Sequence, residues 1–355
     1  VDIDLPPADP SLPEIAVDLA DPTFDGLVLF TAQQLDGTWL LVVDGAGRVV
    51  WAHHGAELVA SPTSEFSRDG RSIRFTQYVP RDHSGGIERL AIDGREDTVF
   101  TPVPRGHHDF VELPDGTLAW WEDEVRDTEI DGETVRVVYD RLVEGPEGSA
   151  ADDPARRLVY AFADDYPAAW MVCDHMASCN AEDGTACEFA HSNSLVYDDA
   201  DDAYYTMSRW LDGFHRIDRA TGEMVWQLGG RYDRFGADLW RHGHFSDRWD
   251  GHVLVFDNAN HTPGEVARVV EVAYDEDART ASTVWSYADP DARTVEAIGD
   301  AQRLPDGDTL VSWGSLGELT RHRADGTVRW RIRLPTVDAV GRVSWTPDLY
   351  HPRRK

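Results

Sequence analysis

The chain has 355 residues, 41% of them hydrophobic, a formal net charge of -32 at pH 7 and a single lysine, Lys355. A surface this acidic repels nucleic acid and anionic lipid, so both are excluded as principal partners. No apolar run approaches the roughly 18–20 residues a spanning helix needs, so no membrane insertion is expected.

Residues 1–25, rich in Pro and Asp, read as an N-terminal extended arm with one short strand at Glu14–Val17. The chain begins at Val1 without methionine, and the expectation is that a leader has been removed. From Gly26 onward short alternating runs separated by turns replace any long 3.6-residue period, as in TWLLVVDGAGRVVWAHH and GHVLVFDN. Residues 26–355 therefore read as one all-β domain, a length large β folds reach without splitting.

A repeat emerges from the strand endings. GRVVW closes at Trp51, GEMVW at Trp226 and GTVRW at Trp330, with looser copies at Phe100, Tyr160 and Trp285. The endings lie 45 to 66 residues apart, the period of a four-stranded propeller blade with its loops. The predicted fold is all-β: a six-bladed β-propeller of four-stranded antiparallel blades. The repeated aromatics are expected to pack between blades.

The Cys-containing loop 164–189 is expected to lie over the channel mouth. It holds all three cysteines, Cys173, Cys179 and Cys187. One local disulfide, a zinc site with His175 and free thiols remain alternative readings.

Aligning the units on their Asp-Gly turns places His108 seven residues before Asp115, and His191 seven before Asp198. Gly243 lies seven before Asp250, flanked by His242 and His244, and Gly299 seven before Asp306, followed by Asp300. The first strand of a propeller blade is innermost, so these starts should gather around the axis at one face. His107 or His108, His191, His242 or His244, and Asp300 are thus expected at one site. His53, His54, His83, His252 and His322 fall outside this pattern and read as surface or structural. His215 reads as structural and His261 as a rim residue.

Several imidazoles beside one guanidinium suit a ligand with negative oxygen atoms. Arg209 could clamp a sulfate or phosphate in bidentate fashion. A neutral imidazole can serve as nucleophile or general base, and Asn193 could donate to a developing oxyanion. The same residues could instead hold a divalent metal through His108, His191 and His244 with Asp109. The absence of G-x-S-x-G, P-loop and Rossmann motifs disfavours serine hydrolase, nucleotide and nicotinamide chemistry.

The segments HHDFVELPDGTL, HSNSLVYDDADDAYYTMSRW, GEMVWQLGG and HFSDRWDGHVLVFDN resemble the arylsulfate sulfotransferase family, secreted or periplasmic six-bladed propellers. The resemblance runs from about Gly106 to Pro335. It implies transfer of a sulfuryl group between phenolic compounds through a sulfated histidine, with a small aromatic substrate and no cofactor. The implied nucleophile is His244 or His242, with His108, His191, Asn193 and Arg209 on the sulfate oxygens and His107 and Asn258 as further contacts. Where the family carries Gln-His, this chain reads Trp240-Arg241-His242-Gly243-His244. Spacing to Phe256-Asp257-Asn258 favours His244. Two further readings stand beside this one: a metal-dependent lyase or hydrolase using the same histidines, and a non-catalytic ligand-binding propeller. Trp210, Trp240 and Tyr205 could form an aromatic platform or pack the blades.

Overall fold

The computed structural model describes residues 11–34, 37–55, 61–79, 84–93, 98–130, 132–166, 186–260 and 264–349. After β1 (Ala16–Leu19), the first unit holds β2 (Leu27–Gln34), β3 (Gly37–Asp44) and β4 (Val49–His54). Blade II is β5 (Ser64–Phe66), β6 (Ser72–Val79), β7 (Ser84–Ala91) and β8 (Val99–Pro102). Blade III is β9 (Gly106–Glu112), β10 (Thr117–Ile130), β11 (Glu133–Pro146) and β12 (Arg157–Ala161), followed by the helical turn α1 (Phe162–Asp165) and β13 (Ala186–Glu188). Blade IV is β14 (Val196–Asp198), β15 (Ala203–Ser208), β16 (Gly213–Asp218) and β17 (Met224–Leu228). Blade V is β18 (Gly243–Trp249), β19 (His252–Asp257), β20 (Arg268–Asp275) and β21 (Thr280–Ala288). Blade VI is β22 (Asp300–Arg303), β23 (Thr309–Ser312), β24 (Glu318–His322) and β25 (Val328–Arg333), before the closing β26 (Ala339–Thr346).

These strands form six antiparallel blades, as the repeat predicts. The ring closes because β26 pairs with β2 and supplies the inner strand of blade I. The predicted arm strand lies slightly further along than expected: β1 pairs with β25 and adds a fifth, outermost strand to blade VI. Parallel pairing of β13 with the first half of β11 adds a short strand to blade III beside its third strand. No helix among the described residues is long and apolar enough to cross a membrane.

All six closing aromatics fall in the fourth strands of their blades, as the 45-to-66-residue spacing requires. Their packing is less uniform. Trp226 and Trp330 are buried, whereas Phe100 is 44% exposed. Trp226 meets Tyr205 of its own blade and Tyr274 of blade V. Trp240 and Tyr205 belong to the same apolar cluster between blades IV and V, so both pack blades.

Neighbouring blades are tied near the axis by buried polar side chains, each with a partner, as burial demands. Asp109 accepts the Leu195 amide at 2.7 Å, Asp300 accepts the Val343 amide at 2.9 Å, and the Asn193 amide donates to the Gly243 carbonyl at 2.9 Å. On the axis, fully buried Arg342 reaches Asp109 at 2.6 Å, Glu65 at 3.3 Å and Asp300 at 3.9 Å. One guanidinium thus joins blades I, II, III and VI.

Candidate active site

Successive strands of a blade alternate in direction, so the start of each inner strand and the loop between second and third strands lie at the same face. That rule brings His107 and His108 (β9), His191 (ahead of β14) and His242 to His244 (entering β18) together. It also brings in Arg209 to Asp212, between β15 and β16, and Asn258 to Asn260, between β19 and β20.

The inner strands are deformed where the site forms. In β9 the register slips between Trp120 and Trp121, leaving His108 and Asp109 as extra residues, and in β18 it slips at Phe245. Such bulges re-aim side chains. Left-handed backbone recurs beside them at His108 (φ 52°), His191 (φ 56°), His242 (φ 53°) and Ile298 (φ 62°). A non-glycine residue there costs on the order of 1 kcal/mol. Four consecutive blades carry this strain at equivalent places.

The rings meet. His108 and His191 have centroids 4.5 Å apart, and His108 and His244 lie 5.6 Å apart. His191 continues to Trp210 at 5.7 Å, and Trp210 to His242 at 5.1 Å. The Arg209 guanidinium stacks on Trp210 at 5.2 Å. Of the two histidines entering β18, His244 faces His108, while His242 lies beyond the indole and shares a 3.0 Å contact with Asn260 Oδ1.

Hydrogen bonds fix each ring. His191 Nδ1 lies 2.8 Å from Glu188 Oε2, which also accepts Trp210 Nε1 at 3.0 Å. His108 Nδ1 lies 3.0 Å from His107 Nδ1. His244 hydrogen-bonds the Gly299 backbone, and among the described residues its buried Nδ1 has no hydrogen-bond partner. Burial first, then Arg209 and His191, hold the His244 ring well below the usual imidazole range. His108 is lowered in the same way by burial and its three neighbouring imidazoles. Both rings are therefore neutral at pH 7, with a lone pair available. Burial alone would raise the Glu188 carboxyl, but His191 and Trp210 bring it down to about 2. Burial raises Asp212, whose carboxylate accepts the His242 amide at 2.6 Å, to about 6.

Arg209 is 7% exposed, and among the described residues its side-chain hydrogen bond goes from Nη2 to Asn260 Oδ1 at 3.1 Å. Its Nε is buried without a partner, and among the described residues it forms no ion pair. At the opposite mouth of the axis, a cavity of about 280 Å³ is lined by Arg68, Arg248 and Arg342 among others. Each of those is paired with a carboxylate. Arg209 is not, and a buried guanidinium left so is costly unless an anion meets it.

The remaining predicted residues are placed as follows. Asp109 turns its carboxylate to Arg342 and the Leu195 amide, away from the histidines. Asp300 lies beside Arg342 rather than in the imidazole cluster. The Asn193 amide nitrogen is used on Gly243, and that of Asn258 on the Val295 and Ile298 carbonyls at 3.1 and 3.0 Å. His261, His83, His175, Cys173 and Cys179 lie outside the described residues, and only the backbone of Cys187 is described. The sequence reading missed Glu188, Asn260, Asp123 and Asp140. Glu188 stands three residues before His191, a spacing that could have signalled it. Asp123 and Asp140 are brought in by pairing across the β10–β11 hairpin, and Asn260 by the connection between β19 and β20.

A six-bladed propeller with an axial cluster of imidazoles beside an unpaired guanidinium defines the class. Residues 16–236 match the sequence model of the family described as arylsulfotransferase (ASST). The chain belongs to the arylsulfotransferase family. The match takes in His108, His191, Asn193 and Arg209 and ends before His242, so the resemblance read through Pro335 extends beyond it. No curated protein matches the sequence. Among solved structures, a protein of unknown function from Bacteroides caccae is 11% identical, covers 90% of this chain and 98% of its own, and superposes with a TM-score of 0.54. A Pseudomonas aeruginosa periplasmic gluconolactonase is 14% identical, with 90% and 98% covered and a TM-score of 0.48. A streptogramin B lyase is 12% identical, with 94% and 98% covered and a TM-score of 0.48. At such identities the likeness concerns the fold alone.

Proposed function

We propose that this chain transfers a sulfuryl group from an aryl sulfate to a phenol through His244. The observation that carries the reading is the buried, unpaired guanidinium of Arg209 beside three imidazoles from three successive blades. A sulfate ester brings the anion that Arg209 lacks, despite the acidic surface around it.

The hydrogen bond from His244 to Gly299 leaves the lone pair on Nδ1, the attacking atom in this reading. Nδ1 attacks sulfur, the S–N bond forms and the S–O bond to the aryl group breaks. The departing phenolate takes a proton from His191, whose ring Glu188 holds on its other side. His191 then takes the acceptor phenol's proton, and the phenol oxygen attacks sulfur. The S–N bond breaks and His244 is restored. Arg209 and His108 hold the sulfuryl oxygens throughout. Asn193 and Asn258 act here as frame residues, their amide nitrogens being used on the backbone of neighbouring segments.

The test is turnover of 4-nitrophenyl sulfate with phenol as acceptor. Nitrophenolate release should require the acceptor and be matched by phenyl sulfate, and His244→Asn should abolish it. Acceptor-independent release of inorganic sulfate would replace transfer with hydrolysis. Undiminished turnover in His244→Asn would remove the nucleophile.

A further inference from the structure

Next to the imidazole cluster lies a group of residues that the proposed reaction does not use. His107 enters β9, and Asp123 (β10) and Asp140 (β11) face each other directly across the hairpin. One ligand atom from each of the three lies within 4.8 Å of the other two. His107 Nε2 is 3.5 Å from Asp123 Oδ1 and 3.6 Å from Asp140 Oδ1. Both separations exceed the 2.7–3.2 Å of an N–H···O hydrogen bond, and among the described residues the buried Nε2 has no hydrogen-bond partner.

The spacing fits a shared ion better than direct contact. Bonds of about 2.1 Å to imidazole nitrogen and carboxylate oxygen, arranged tetrahedrally, hold the ligand atoms roughly 3.4 Å apart. The charges point the same way. Like charges directly opposite across a ladder are destabilising. Other buried carboxylates here meet an arginine: Asp109 meets Arg342, Asp257 meets Arg268, and Glu144 meets Arg219. Among the described residues neither Asp123 nor Asp140 does. Asp140 is 3% exposed, and its Oδ2 accepts the Ser192 amide at 2.5 Å, which turns Oδ1 toward His107. Asp123 is partly open to solvent, leaving room for water to complete a coordination shell.

We propose that His107, Asp123 and Asp140 bind one divalent transition-metal cation, and that this ion fixes the tautomer of His108. One imidazole nitrogen and two carboxylate oxygens suit Zn²⁺ or Mn²⁺. A metal on Nε2 takes that lone pair, so the His107 proton sits on Nδ1. His107 Nδ1 then donates to His108 Nδ1 across 3.0 Å. With its Nδ1 accepting that bond, the His108 ring carries its proton on Nε2. His108 thereby becomes a donor at Nε2 in a single tautomer.

The metal titration uses no substrate, so its outcome is separate from that of sulfuryl transfer. The full chain, stripped with chelator, is titrated with Zn²⁺ by calorimetry in excess Mg²⁺, which occupies exposed carboxylates. One Zn²⁺ per chain is expected. Asp123→Asn and His107→Gln should each weaken it by at least the ~10–100-fold that even an outer-shell change costs. Asp123→Asn is isosteric, and the Asp123 carboxylate makes no hydrogen bond among the described residues, so its melting curve should stay close to wild type. Nitrogen NMR of histidine-labelled protein should show His108 protonated at Nε2 once Zn²⁺ is bound. Binding that is equally tight in both variants, or is not stoichiometric, would assign the metal to the acidic surface and overturn the site. Wild-type protein that binds no Zn²⁺, with His107 doubly protonated between the carboxylates, would overturn it as well.

Discussion

Arg209→Met should separate a ligand-binding role from a structural one by pairing a small change in stability with a large loss of sulfate affinity. The substitution removes the charged hydrogen bond to Asn260, about 1.5–3 kcal/mol, and the stacking on Trp210, about 0.5–2 kcal/mol. Asn260 Oδ1 is not left bare, since His242 Nδ1 lies 3.0 Å from it. Against these losses stands relief of a buried guanidinium with no carboxylate partner. Replacing buried ionic groups by apolar ones of similar volume is often neutral or stabilising by about 1–4 kcal/mol. Losses and gain are of similar size, so the ligand-free variant should melt within a few degrees of wild type, at no more than ~2 °C per kcal/mol for a chain this long. Sulfate affinity should move the other way. Two charge-assisted hydrogen bonds of about 1.5–3 kcal/mol each correspond to a ~10²–10⁴-fold rise in Kd. Thermal melts with and without sulfate, together with inhibition of aryl sulfate turnover by sulfate, measure both. A variant melting several degrees low without ligand, with unchanged sulfate affinity, would refute the reasoning and make Arg209 a structural residue.

Glu188→Gln should lower kcat on aryl sulfates by roughly 10²-fold with little change in KM, because it removes the group that holds His191 for proton transfer. The Glu188 carboxyl is depressed to about 2, so its stabilisation is complete above the ordinary value of 4.5 and is lost as pH falls toward 2. Chemical denaturation should accordingly show a stability deficit in Glu188→Gln at pH 7 that closes through that window. Asp109→Ala should cost about 3–5 kcal/mol in urea unfolding, since it strips buried Arg342 of its 2.6 Å partner; a loss under 1 kcal/mol would mean that Glu65 and Asp300 suffice. His215→Phe should stabilise the protein at mildly acid pH. The buried ring has no partner at either nitrogen, and burial lowers it to about 3. The unfolded ring takes a proton below 6.5 while the folded one resists until about 3, so wild type loses stability as pH falls through that range. At pH 5 the difference is ~2 kcal/mol, and parallel stability–pH curves for the two proteins would contradict it.

The propeller was legible because its signal is periodic. An aromatic at the end of each unit marks an outer strand whatever its final burial, which is why Phe100 served as well as Trp226 although it faces solvent. The histidines were legible for a related reason: a place counted back from each Asp-Gly turn maps to the same height on each inner strand. Counting stops where the backbone leaves the regular ladder. The slip at Phe245 shifts the register of β18 by one residue, so sequence spacing left His242 and His244 as alternatives, and only the folded chain shows His244 beside His108. Asp300 sits at an equivalent position yet turns to Arg342, because β26 enters from the far end of the chain and brings a guanidinium that no local pattern announces. Asp123 and Asp140 meet through the long hairpin of β10 and β11, where a pair seventeen residues apart becomes a direct neighbour. Residue type at a repeated position therefore reports which side chains reach the axis. What each does there depends on partners from non-repeating segments: the Glu188 strand, the long hairpin and the closing strand.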